Sequence, residues 1–224
     1  IWQTEFALHG ILGQRGWIME HPGQNIRYRV GHSGAVAIVS AADQVAAPPA
    51  LRGEALYCGL YLNELTLRLL MRNDPHPEVF EQYRETLGAL ATDEELQSWL
   101  RLYEKQLLDA TGFGLILDRE AASTTPIEPD ARYDYQPERG PVRVAEQARS
   151  RPGLVSGQAL LALDAGHIDP ADWAALRHMM RRVLRHHLGE KPLASEALYR
   201  ALRRDRPDAA QRPDPSAVEK HEHE

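Results

Sequence analysis

Apolar residues in the middle of the chain recur at steps of three and four, the spacing that places side chains on one face of an α-helix. The pattern predicts a first helix over residues 52–72, a second over 77–90 and a third that Gly112 ends. The first carries leucines on a wide face, so we expect it near the centre of the core. Residues 92–95, Thr-Asp-Glu-Glu, are expected to cap the third helix, because Thr accepts backbone hydrogen bonds and acids suit the first turn.

The same period returns towards the C-terminus and predicts three further helices, over residues 156–165, 169–188 and 195–204. Asp169-Pro170 is a strong start signal, since Asp caps helices and Pro suits the first helical position. Residues 118–150 lack a helical period. Two short runs within them, 133–135 and 142–144, predict a β-hairpin.

The first 47 residues contain short apolar runs separated by Gly, His and Pro, which is typical of strands and turns. Three strands are predicted, over residues 17–19, 26–30 and 35–39. The run Ala46-Ala47-Pro48-Pro49 marks a boundary, because a residue before Pro is disfavoured in a helix. The sequence therefore predicts an α+β protein with a small β unit over 1–50, a mainly helical domain over 51–204 and a disordered tail over 205–224.

Composition narrows the class of protein. The 224 residues carry a net charge of −6, which does not suit a protein that is basic all over, although phosphate binding needs only a local patch. The single cysteine, Cys58, excludes an internal disulfide and a cysteine-only metal cluster, and its apolar helical setting favours a buried structural thiol. The chain has neither an apolar run of about 18 residues nor a leader with a cleavage site, so we expect a cytoplasmic protein without a membrane span.

A basic stretch between residues 173 and 204 carries the clearest charge signal, with eight basic residues against two acidic ones. Arg177, Arg181 and Arg185 are spaced by four and form one stripe along the predicted helix, with Met179 and Val183 among the residues left for the core. Such a stripe is either a solvated face or a surface for backbone phosphates, and the local excess of positive charge favours phosphates. The basic residues of this segment are Arg177, Arg181, Arg182, Arg185, Lys191, Arg200, Arg203 and Arg204.

The third predicted helix carries Arg101 and Lys105 four residues apart, beside Leu100 and Leu107. Two interpretations remain open here. The residues belong to a core helix with solvated cations, or they border an apolar groove that holds a peptide ending in an aromatic residue and a carboxylate.

Catalytic and metal-binding patterns are missing from the sequence. It has no glycine-rich phosphate loop, no Gly-x-Ser-x-Gly and no His-Glu-x-x-His. The acids of residues 93–95 are explained by capping, and His186 and His187 point about 100° apart on a helix, so they do not share one ion easily. We therefore expect a binding protein without a cofactor or metal, and not an enzyme.

Four phrases in the predicted helical domain stand out. They are Leu-Tyr-Cys-Gly-Leu-Tyr-Leu-Asn-Glu-Leu (56–65), Leu-Arg-Leu-Tyr-Glu-Lys-Gln-Leu-Leu (100–108) running into Thr-Gly-Phe-Gly (111–114), Leu-Val-Ser-Gly-Gln-Ala-Leu (154–160) and Leu-Gly-Glu-Lys-Pro-Leu-Ala-Ser-Glu-Ala-Leu-Tyr-Arg (188–200). In this order they resemble the helical body of the RecO family, bacterial recombination mediators that bind DNA and anneal strands.

The resemblance implies a set of partners and sites. In this family the helical domain is a docking site for the acidic, Phe-ended tail of the single-stranded DNA-binding protein SSB, and Arg68, Arg101 and Lys105 are the implied cations for that tail. Many members carry a four-cysteine zinc site after the Gly-aromatic-Gly phrase. This chain has no cysteine there, which is similar to the zinc-free branch.

The family also begins with an OB-fold barrel of five strands, which binds DNA with cations and stacking aromatics. Only about 50 residues precede the helical body here, so we expect an incomplete OB-like unit of three or four strands. Arg27 and Arg29, with Trp17 and Tyr28, are its candidate DNA-binding residues, although core packing is at least as good an interpretation of Trp17.

The leading hypothesis is thus a nucleoid-associated mediator of DNA repair and homologous recombination. It would bind single- and double-stranded DNA and SSB, anneal complementary strands and, with RecR, assist the loading of RecA. The alternatives are an SSB-binding adaptor with little DNA binding of its own and, from a different class, a hydrolase with a helical lid. The candidate DNA-binding residues are Arg177, Arg181, Arg182, Arg185, Lys191, Arg27 and Arg29.

Overall fold

The computed structural model describes residues 16–18, 25–33, 36–46, 49–71, 76–92, 95–121, 123–148 and 150–204, with side chains described from residue 49 to residue 201 within these ranges. The chain divides into two compact units, the first ending at Lys191 and the second beginning at Pro192. The tail predicted over 205–224 lies outside the described residues.

Three antiparallel strands form the described N-terminal part, in the order β1 (Gly16–Ile18), β2 (Asn25–Ser33) and β3 (Val36–Ala46). All three predicted strands are confirmed, and the two longer ones extend beyond their predicted ends. Register shifts after Asn25 and after Arg29 interrupt the pairing of β2 with β3, as β-bulges do. The small antiparallel sheet is therefore established, whereas its likeness to an OB-fold stays a prediction.

Among the described residues of the first unit are the α-helices α1 (Gly53–Leu69), α2 (Pro77–Thr92), α3 (Leu96–Ala110), α4 (Gly157–Asp164) and α5 (Trp173–Leu188). Helix α6 (Ala194–Arg204) is the described part of the second unit. The periodicity predicted all six with ends within a few residues. The predicted cap of α3 is wrong, because Thr92 is still the last residue of α2 and Glu95 precedes α3 without a side-chain hydrogen bond to it.

The core of the first unit forms where α3 packs against α1, α2 and α5. Several buried polar groups inside it are paired with one another, although Arg101 Nε and Glu104 Oε2 are buried without a hydrogen-bond partner among the described residues. The Tyr83 hydroxyl donates to Asn63, and the hydroxyls of Thr66 and Tyr103 lie 2.5 Å apart. The largest fully buried apolar side chains include Leu62, Leu65, Leu87, Leu107, Leu108, Leu160, Leu163, Leu176 and Met179.

A second small sheet lies between α3 and α4 in the sequence. Strands β4 (Arg132–Gln136) and β5 (Gly140–Arg143) form the predicted hairpin, and the two-residue strand β6 (Val155–Ser156) pairs with the other edge of β4. Both Tyr133 and Tyr135 are buried, so the two inward side chains of β4 anchor the sheet to the core. The hairpin thereby comes to lie beside α5.

Candidate nucleic-acid interface

Local signals fix both ends of α5. The Asp169 carboxylate accepts a hydrogen bond of 2.8 Å from the Ala171 backbone, and Pro170 opens a short 3-10 turn that leads into the helix. Gly189 ends the helix with φ +74, a conformation that glycine adopts without a steric penalty. The predicted inward residues Met179, Met180 and Val183 are buried, which confirms the prediction, and Leu176 and Leu184 are buried as well.

The arginine stripe, Arg177, Arg181 and Arg185, occupies the exposed side of α5. Steps of four residues advance about 6 Å along a helix axis, so the three α-carbons span about 12 Å. Within the part of the chain that the structure describes, neither Arg177 nor Arg185 forms an ion pair. Their charges are therefore available to anions in solution, as the phosphate-binding interpretation requires.

Arg182 lies off this stripe. It is half-buried, and its guanidinium donates to Asp134 Oδ1 at 2.7 Å and to the backbone carbonyl of Tyr135. Arg151 reaches the other oxygen of Asp134 at 3.8 Å. Asp134 thus offsets part of the positive charge of Arg182, which was predicted to bind DNA. This placement favours a role for Arg182 in holding α5 against the hairpin.

Arg68 is engaged at the C-terminal end of α5. Its guanidinium donates to the backbone carbonyls of Leu188, at 2.8 Å, and Lys191, at 2.9 Å. A cation at this position satisfies carbonyls that the helix leaves without partners and complements the helix dipole. The Lys191 side chain itself is exposed and follows the end of α5 by three residues.

Arg101 is buried with Glu104, contrary to the solvated setting that one interpretation assumed. The guanidinium lies 2.5 Å from Glu104 Oε1, and the two side chains are 6% and 0% exposed. The Tyr61 hydroxyl donates to the same oxygen at 2.6 Å. Burial raises the pKa of Glu104, while the charge of Arg101, the hydrogen bond from Tyr61 and the charge of Arg181 act in the opposite direction.

Lys105 borders a groove of about 580 Å³ between α2, α3 and the end of α4. Its ammonium group lies 3.2 Å from Asp109, and Leu102 and Glu78 also line the groove. The three cations predicted for the SSB tail therefore occupy different settings: Arg68 caps α5, Arg101 is buried, and Lys105 faces the groove. Whether any of them binds the tail stays a prediction.

Arg27 and Arg29 occupy alternate positions of β2, opposite Asp43 and Ala41 of β3. Trp17 of β1 is the register partner of Arg27. Their side chains lie outside the described ones, so the DNA-binding prediction for them stays untested.

An aromatic pair that joins two distant segments was not predicted from the sequence. Phe113 stacks on His187 with ring centroids 4.2 Å apart, and partial burial lowers the pKa of that histidine. His186 Nε2 lies 2.9 Å from Glu138 Oε1 in the hairpin turn. The pair borders a cavity of about 270 Å³, and only the Gly-Phe-Gly phrase hinted at a constrained loop here.

The described residues bear on the sequence-based expectations for metal binding, membrane spans and Cys58. They contain no group of three side chains able to hold a metal ion, and no helix among them is long and apolar enough to cross a membrane. Burial raises the pKa of Cys58 to about 12, so the thiol is not ionised at neutral pH. The prediction of a buried structural cysteine is confirmed.

Comparison with known proteins gives consistent matches. Residues 51–197 match a family model described as "Recombination protein O C terminal". The DNA repair protein RecO of Nitrosococcus oceani is 42% identical over 173 residues, which are 76% of this chain and 70% of that protein. The RecO protein of Stenotrophomonas maltophilia R551-3 is 40% identical over 198 residues, 86% of this chain and 82% of its own length. For RecO of Pseudomonas aeruginosa PAO1 the identity is 41% over 167 residues, 74% of this chain and 70% of the relative.

These matches cover the helical body in which all four phrases lie, and they agree with the prediction of a binding protein rather than an enzyme. The chain belongs to the RecO family of recombination and repair mediators.

Proposed function

We propose that this protein is a mediator that binds single- and double-stranded DNA through the arginine stripe, anneals complementary strands and, with RecR, assists the loading of RecA on SSB-coated DNA. The observation that carries the DNA-binding part is the row of three exposed guanidinium groups on α5, two of them without an ion pair among the described residues. Membership in a family of DNA repair proteins supports the same role.

The stripe suits contact with the backbone and not with particular bases. Guanidinium groups bind phosphate oxygens in a bidentate way, and such contacts position a strand without reading its sequence. Annealing needs no external source of energy under this proposal. Neutralised phosphates let two strands approach one another, and base pairing then supplies the driving force.

In this proposal residues 1–50 form an OB-like unit that adds Arg27 and Arg29 to the DNA surface. Residues 51–204 form the helical domain, and the protein acts in the cytoplasm at the nucleoid. The SSB tail is an acidic, Phe-ended peptide, so its docking calls for a cation beside an apolar surface. Lys105 beside Leu102 in the α2–α3 groove offers that combination, with Arg68 and Arg101 as further candidates.

The test is fluorescence anisotropy with labelled single-stranded DNA and, separately, with a labelled SSB tail peptide, each titrated at several salt concentrations. One variant changes Arg177, Arg181 and Arg185 to Glu. A matched control, R52E/R84E/R119E, makes the same change of net charge at three arginines elsewhere on the exposed surface.

DNA affinity of the wild type should fall steeply with salt, and loss of three phosphate contacts should reduce the slope of log K against log salt by about 2. The stripe variant should lose DNA and keep the peptide, while the control should keep both. Peptide binding without DNA binding in the wild type would identify an adaptor instead. If neither ligand binds, the proposed function is wrong.

A further inference from the structure

The cavity beside the Phe113–His187 pair lies between α3, the hairpin and α5, within the first unit. Its volume is about 270 Å³, below the 300–1,000 Å³ typical of sites for drug-sized ligands, so it suits one ring system. Apolar walls come from Leu115, Ile116 and Val183. The cavity thus offers an apolar slot of the size of a single aromatic group.

Backbone geometry presents Phe113 at the rim of this slot. Gly112 has φ +81, which turns the chain sharply at the end of α3. A Cβ atom on Gly114 would lie 2.9 Å from Asp109 Oδ1, so the next position also favours glycine. Between the two glycines, Phe113 stacks on His187 and still leaves 43% of its surface exposed. The exposed part of the ring is therefore open to a second stacking partner.

A carboxylate that is 69% exposed lines the cavity together with Tyr135 and His187. Glu138 lines it from the hairpin turn, and Oε1 of Glu138 lies 2.9 Å from His186 Nε2. This hydrogen bond lowers the pKa of Glu138, so the group stays an ionised acceptor at neutral pH. No recorded contact occupies Oε2 within the part of the chain that the structure describes. A ligand that donates an N–H therefore has an oriented acceptor here.

We propose that this cavity holds one unstacked, amino-bearing base of single-stranded DNA, with Phe113 as the stacking surface and Glu138 as the acceptor of the exocyclic amine. The proposal rests on the DNA binding proposed above and adds a base preference to it. Carboxylates accept hydrogen bonds from the N4 amine of cytosine, whereas thymine presents a carbonyl oxygen at the equivalent position. Stacking on an aromatic side chain is the common mode for single strands.

Charge also distinguishes this ligand from an acidic peptide. The Glu138 carboxylate would repel the carboxylates of an acidic tail, while Arg139, exposed in the same turn, can meet the phosphate of a bound nucleotide. A base with an amine edge is thus the occupant that the lining favours.

The experiment compares oligo(dC) and oligo(dT) of equal length by anisotropy at pH 7.5 and one salt concentration, using the full chain. The wild type should bind oligo(dC) about tenfold more tightly, as one good base contact allows. In E138Q the amide can donate to thymine as well as accept from cytosine, so the preference should vanish without loss of total affinity.

Two variants separate stacking from folding. F113L keeps an apolar side chain without a π face and should weaken both oligonucleotides about tenfold, while F113Y should restore binding. E190Q, at an exposed glutamate after α5, is the matched control for the charge change and should keep the preference. Unchanged thermal midpoints would show that each variant is folded.

Equal affinities that are unaffected by E138Q and F113L would overturn the base site and leave the proposed DNA binding intact. Absence of binding to either oligonucleotide would overturn both proposals. If a Phe-ended acidic peptide displaces the base and F113L abolishes peptide binding, the cavity is a peptide site and the base site is wrong.

Discussion

The buried ion pair between Arg101 and Glu104 allows the sharpest test of what holds the helical body together. Its side chains are 6% and 0% exposed, and the pair sits in α3, which packs against three other helices. Removing one partner leaves the other charge in a site without water. Such single changes cost about 3–5 kcal/mol, whereas replacing both partners is often nearly neutral.

The perturbation is a double-mutant cycle of R101M, E104Q and R101M/E104Q. E104Q keeps an acceptor for the Tyr61 hydroxyl but leaves Arg101 without its counter-charge, so we expect a loss of about 3–5 kcal/mol in the free energy of unfolding. The double variant removes both charges and should lie within about 1 kcal/mol of the wild type. Urea denaturation followed by circular dichroism measures all four proteins, and the coupling energy follows from the cycle.

The double variant also separates folding from binding at Arg101. A folded protein without this guanidinium tests directly whether Arg101 contributes to binding of the SSB tail, and K105M in the same assay serves as the comparison. Losses in the double variant that equal the sum of the two single losses would refute the reasoning, because the two side chains would then act independently.

Three further outcomes are expected. In R101M, the folded-state pKa of Glu104 lies above its unfolded value of about 4.3. The free energy of unfolding should therefore fall as pH rises towards 7, by up to about 1.4 kcal/mol per pH unit, whereas E104Q should show no such slope. Urea midpoints between pH 5 and 7 check this. R68M should cost about 1.5–3 kcal/mol by removing two charged hydrogen bonds at the end of α5, measured by denaturant unfolding, and an unchanged midpoint would contradict the capping role. G157A should cost about 3 kcal/mol, because the added Cβ atom would overlap a backbone oxygen. The matched change G88A adds a Cβ with no atom within 4 Å and should not destabilise the protein. Equal thermal midpoints for the two variants would contradict this.

Much of the fold could be predicted because its signals are local. The three- and four-residue spacing identified six helices, and Asp169 and Gly189 fixed the ends of α5 through backbone chemistry that acts within a few residues. Thr92 shows where local signals fail. It has the chemistry of a cap, yet α2 continues through it, because two helices compete for the same short segment.

The candidate site likewise has features that local signals predict and features that they do not. The exposure of Arg177, Arg181 and Arg185 follows from spacing together with the apolar residues on the other side of α5. The settings of Arg101 and Arg182 do not, because they depend on which elements pack beside each helix.

By itself the sequence determined the helical body, the small sheets, the arginine stripe and, through four phrases, the family. Hydrophobic periodicity, capping and charge spacing are properties of neighbouring residues, so they can be read before the chain folds. Only the tertiary structure decided that Arg101 is buried with Glu104, that Asp134 engages Arg182, and that Phe113 meets His187 beside a cavity. Arg101 and Glu104 are three residues apart on one helix, so spacing brings them together and only the packing of other elements buries them. The other two contacts join residues far apart in the sequence, which no local spacing encodes.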